Sequence, residues 1–148
     1  MTAKRKKTLI IWAVVLAAVL IVGAVVYWNF PKMSDISESA VFDEALVSET
    51  AKEIITLYGD DEYEAVVEYM TDDMKSVLNV ATLSISKAQL ATADFGELLS
   101  FGQMYISEVK QGGELFAMVQ VNVSYANTGI AYTLTFDEEM KLAGFYLK

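Results

Sequence analysis

The spacing of hydrophobic and polar positions changes rhythm twice along the chain. Residues 8–28 (TLIIWAVVLAAVLIVGAVVYW) form an apolar block without a charged side chain. Residues 41–102 repeat apolar positions at a helical interval, and beyond Gly102 the interval becomes two. In VFDEALVSETAKEIITLYG, the positions Phe42, Leu46, Glu49/Thr50, Ile54 and Leu57/Tyr58 fall near one face, with Gly59 as a stop. That spacing predicts a helix of about four turns. Asp60-Asp61 opens a shorter helix with Tyr63, Val66, Val67 and Met70 on one face. Thr71-Asp72-Asp73 supplies a cap and an acidic first turn to a third helix burying Met74, Val77 and Leu78. Ser86 and Gln89 have capping-box spacing, so a last helix is expected to bury Leu90, Phe95, Leu98 and Leu99 and to end near Gly102.

Strand rhythm follows. Leu115, Ala117, Val119, Val121, Val123 and Tyr125 alternate with other residues, as do Ile130, Tyr132, Leu134 and Phe136. Gly112-Gly113, Asn127-Thr128-Gly129 and Asp137-Glu138-Glu139 are turn signals between them. With MYISEVK before and KLAGFYLK after, four strands in a meander are expected. Helices first and hairpins second predict an α+β fold, its helices covering one face of a curved four-stranded antiparallel sheet.

The apolar block reads as an anchor. Its 21 residues would make a helix of roughly 31 Å, matching a hydrocarbon core of about 30 Å. A cleaved export signal has a shorter apolar stretch with a small-residue cleavage site just behind it. Here the block closes on Tyr27 and Trp28, side chains suited to the headgroup interface, and Asn29-Phe30-Pro31 stops the helix. Lys4, Arg5, Lys6 and Lys7 place the N-terminus in the cytoplasm by the positive-inside rule. The expected order is a basic cytoplasmic segment (1–7), a single transmembrane helix (8–28), a polar linker (29–40) and an extracytoplasmic domain (41–148).

Charge and composition narrow the function classes. Residues 41–148 carry 18 acidic against 6 basic side chains, which disfavours nucleic acid and anionic surfaces as partners. The chain has no Cys and no His. Disulfides, thiolate nucleophiles, Ser-His catalysis and the commonest metal ligand are therefore excluded, and acid–base work would fall to Asp, Glu, Tyr or Lys.

AKEIITLYGDDEYEAVVEYM, SKAQLATADFGELLSFGQ and TLTFDEEMKLAGFYL, in that order, resemble the domain of unknown function 3887 family. The likeness extends over about residues 42–148, with Phe95 near the place where such families often carry a Trp. It implies a cystatin-like, nuclear-transport-factor-two-like cone on a membrane-tethered bacterial module, and it implies no activity. Cones of this shape are either packed solid or hollow. Ketosteroid isomerase, a relative by fold, uses carboxyl and Tyr side chains in an apolar hollow. Tyr58, Tyr63, Tyr69 and Tyr105 are the candidate pocket-lining residues, with Asp73 nearby in sequence, although an aromatic at a core position is more often packing. Asp60-Asp61-Glu62, Asp72-Asp73 and Asp137-Glu138-Glu139 offer hard oxygen ligands for calcium. None has the EF-hand spacing, and carboxylates in turns and first helical turns are ordinarily solvated. The expectation is a non-catalytic binding module for a protein or small apolar ligand, without cofactor or metal. The alternative is a small enzyme using a carboxylate or Tyr in the cone.

Overall fold

The computed structural model describes the backbone of residues 3–90 and 94–148, and the side chains of these except 3, 4 and 22–29. The elements are α1 (Ala3–Asn29), β1 (Lys32–Asp35), a 3-10 turn (Ile36–Glu38), α2 (Glu44–Gly59), α3 (Tyr63–Glu68), α4 (Asp72–Val77) and α5 (Val80–Leu90), then β2 (Leu98–Phe101), β3 (Tyr105–Gln111), β4 (Glu114–Tyr125), β5 (Gly129–Phe136) and β6 (Leu142–Leu147).

In α1 the large apolar side chains Leu9, Ile10, Trp12, Leu16, Leu20 and Ile21 are all exposed, so no protein layer covers any face of its described part. Among the described residues no helix is long and apolar enough to cross a membrane. The transmembrane helix expected over 8–28 is not found on that basis. The side chains of Tyr27 and Trp28 lie outside the described residues.

The sheet has six strands, where four were expected. The expected four are β3 to β6, antiparallel neighbours in sequence order. The first addition is β1, taken from the segment expected to be a linker. It pairs antiparallel with β3 from Lys32 opposite Lys110 to Asp35 opposite Ser107. Ile36 follows, 2% exposed. Asp35 accepts from the Ser37 amide at 2.9 Å, and the Ser39 hydroxyl donates to the Glu108 carboxylate. A polar segment is recruited because one isoleucine reaches the core and the β3 edge satisfies its backbone.

The second addition is β2, from the tail of the helix expected to end near Gly102. α5 starts earlier, at Val80, where the Asn79 side chain accepts from the Thr82 amide at 2.9 Å. Ser86 lies inside the helix with its hydroxyl donating to the Leu83 carbonyl, so it caps nothing. After Leu90 the chain turns. Gly96 takes φ +80°, and an added Cβ there would approach Ala126 Cβ to 2.9 Å. The carbonyls of Phe95 and Glu97 accept from the amides of Asn127 and Ala126. These bonds deliver residues 98–101 to the last third of β4, which β3 leaves uncovered.

Facing positions explain the core. Ala117, Val119, Val121, Val123, Tyr125, Ile130, Tyr132, Leu134, Phe136 and Leu142 cover the inner face of the sheet, with the alternation expected. Val47, Ala51, Ile54, Ile55 and Tyr58 of α2 lie against them. This stripe is displaced from the expected one, and Leu46 is half exposed. Asp43 caps the helix through the Leu46 amide, and Leu46 lies beside the cap at the surface while the 47-51-54-55-58 row meets the sheet. Thr71 caps α4 through the Met74 amide as expected, yet Val77 is exposed.

Candidate functional site

Beside the last turn of α2 the interior between helix and sheet is filled by aromatic rings. Tyr58, on the last turn of α2, is fully buried. Its ring centroid lies 5.2 Å from Phe145, 5.8 Å from Tyr63, 6.2 Å from Tyr132 and 6.4 Å from Phe95. Tyr125 and Tyr132, inward on β4 and β5, bring their hydroxyls to 2.6 Å. The Tyr58 hydroxyl is 3.2 Å from Ser86 Oγ.

Lys87 closes the rim of this cluster. It is the one charged side chain buried among the described residues. Its ammonium donates to Asp61 Oδ1 at 2.6 Å, to the Gly59 carbonyl at 2.8 Å and to the Tyr58 carbonyl at 3.3 Å, and it stands 4.9 Å from the centroid of Phe95. Both carbonyls end α2, that of Tyr58 accepting also from the Asp61 amide at 3.3 Å, so the cation meets the negative end of the helix dipole. Asp61, at φ +62°, accepts additionally from the Tyr63 hydroxyl at 2.8 Å. The hydrogen bond from Lys87, then that from Tyr63, holds its carboxyl below the usual range. Burial pushes the phenols of Tyr58, Tyr63, Tyr125 and Tyr132 up, Tyr63 being held further by its bond to Asp61 and Tyr132 by its bond to Tyr125. None of these phenols is a base near neutral pH. No buried side-chain N or O among the described residues lacks a partner.

Of the four candidate tyrosines, the structure brings together Tyr58 and Tyr63. Tyr69 is half buried in a separate open cleft of about 530 Å³ with Glu53, Leu57 and Met140, and burial and its hydrogen bond to Glu53 raise its phenol. Tyr105 is 61% exposed, its hydroxyl turned to Gln103 at 3.4 Å. Asp73 lies elsewhere, on an open cleft of about 660 Å³ lined also by Asp72, Glu114, Asp137, Glu138 and Glu139. Tyr125, Tyr132 and Lys87 were missed. Inward-facing Tyr on adjacent strands, and a Lys four residues beyond buried Leu83, are the signals that identify them.

The acidic groups serve the backbone. Asp60 is the C-cap of α2, and Asp72 and Asp73 occupy the first turn of α4. Asp137 Oδ1 accepts from the amides of Glu139 and Lys141, closing the β5–β6 turn. Among the described residues no group of three or more carboxylates is placed to hold a metal ion.

The model of the family described as "Protein of unknown function (DUF3887)" matches residues 51–145. No curated protein matches the chain. An NMR structure of a protein from Ruminococcus gnavus ATCC 29149 is similar at 23% identity, over 78% of this chain and 98% of that one, with a TM-score of 0.65. This likeness is one of fold.

Proposed function

The chain belongs to the DUF3887 family, its fold is consistent with the cystatin-like or nuclear-transport-factor-two-like class, and we propose that it is a membrane-anchored, extracytoplasmic binding module without turnover of its own. One observation carries the binding half of this reading. The interior between the end of α2 and the sheet is filled by Tyr58, Tyr132, Phe95 and Phe145, and the one buried charge among the described residues is paired with Asp61 and bonded to two carbonyls. A filled cone leaves the outer surfaces to meet a protein or small apolar ligand, and excess acidity favours a cationic or neutral one. The anchoring half is supported by the uninterrupted apolar block over 8–28, its basic flank and the bare faces of the described part of α1.

Alkaline extraction of membranes, followed by N-terminal sequencing, tests the anchor. Retention of a chain that still carries residues 8–28 is expected; a mature chain starting near residue 40 refutes it. Crosslinking in intact cells tests the binding. A specific partner lost on charge reversal at Asp60 and Glu62 is expected, whereas a hydrolytic or isomerising activity abolished by Tyr58→Phe or Asp61→Asn refutes it.

A further inference from the structure

The link between α1 and the sheet determines which end of the domain faces a bilayer. α1 ends at Asn29 and β1 begins at Lys32, so only Phe30 and Pro31 intervene, and the gap spans about 10 Å at most. Lys32 is opposite Lys110, and Lys110 is opposite Leu115 of β4. The chain therefore joins the sheet at the end that carries the Gly112-Gly113 turn. Across β4 and β5, where Ala117 is opposite Phe136, the same end carries the turn at residues 137–141. β4 measures the distance to the other end. Its 12 residues from Glu114 to Tyr125 extend about 40 Å. The far end holds Tyr125, the turn at 127–129 and Phe95.

Resting on the anchor reading above, we infer that the 112–113 and 137–141 turns face the lipid headgroups and that the far end points away from the membrane, open to a partner in the aqueous phase. Charge opposes close contact at this end, but it opposes tilting more. The near end exposes Asp72, Asp73, Glu114, Glu138 and Glu139 beside Lys32, Lys110 and Lys141. Where the facing leaflet is anionic it repels such an excess within a Debye length, about 8 Å, and the two-residue link prevents retreat. Lying flat would bring more of an acidic domain within that distance, so the domain stands upright.

Because the chain has no Cys, single cysteines report position cleanly. The full chain carrying Glu138→Cys or Ser124→Cys, each with an environment-sensitive fluorophore, is reconstituted in phosphatidylcholine–phosphatidylglycerol vesicles containing a headgroup-labelled quencher lipid. Both variants are expected to float with the vesicles. The label at 138 should be quenched at least threefold more than the label at 124, and the difference should narrow as salt rises. Equal or reversed quenching in floating vesicles overturns the pose and leaves the anchor standing. A chain that does not float overturns the anchor and the pose with it. A difference indifferent to salt overturns the part assigned to the carboxylates.

Discussion

Replacing Ile36 by Ala separates a folded start of the domain from a flexible one. Ile36 is 2% exposed and belongs to the core cluster, although it stands in an otherwise polar segment. Truncating a buried Ile to Ala costs about 2–5 kcal/mol. At the edge of a sheet the neighbours can partly collapse, so the lower part of that range, about 2–3 kcal/mol, is expected. A fragment of residues 30–148 lacks Trp12 and Trp28, the two tryptophans of the chain, so tyrosine fluorescence reports its unfolding in urea. With a slope of about 1.5 kcal/mol per molar, the midpoint should fall by about 1.3–2 M. Met33→Ala, on the same segment but 59% exposed, should stay within about 0.5 kcal/mol of the parent. Equal midpoints for parent and Ile36→Ala would show that residues 32–38 do not pack on the domain.

Leu134 is fully buried and Thr133 points to the other face, so Leu134→Asp should abolish the cooperative urea transition while Thr133→Asp keeps it within about 0.5 kcal/mol; equal effects would refute the register. Lys87→Met removes the donor to the Gly59 carbonyl and should lower stability by about 1–3 kcal/mol, with Asp61→Asn costing less because Asp61 is largely exposed. The lowered Asp61 carboxyl adds stability above the unfolded value near pH 4, lost as pH falls through the folded one; acid titration of Lys87→Met should show that loss shrink, and an unchanged acid limb would count against the pair. The raised phenols of Tyr58, Tyr125 and Tyr132 stabilise the fold below about pH 10 and cease to as pH rises further. Phenolate absorbance and loss of circular dichroism should therefore appear together, and buried phenols ionising near pH 10 in an intact fold would refute it.

What was legible in the sequence is what local period controls. The inward rows of β4 and β5 were readable because alternation over eight or more residues admits one register. Thr71 as a cap and Gly112-Gly113 as a turn were readable because each needs only its neighbours. β1 was hidden, since four residues of Lys-Met-Ser-Asp have no strand signal of their own and become a strand only against β3. β2 was hidden for a related reason. Phe95, Leu98 and Leu99 fit a helical face, and what removes them from a helix is Gly96 held beside Ala126, thirty residues away. The candidate site was half legible. Tyr58 and Tyr63 share neighbouring helices, whereas Tyr132 and Lys87 reach them only through the closure of sheet on helix.

The position of β1 also sets how the molecule carries a load. A force drawing Tyr125 away from the residues that precede Lys32 acts along the strands. The ladder bonds between β1 and β3 lie across them. All four residue pairs then resist at once, in shear, and the buried Ile36 must be dragged out together with them. The same force applied sideways to β1 would open the pairs one after another. The chain is thus attached to its domain in the mechanically strong direction, and a tug on the far end should break the β1–β3 pairs as one event, the helices, which lie in the chain between β1 and β4, being loaded only after it.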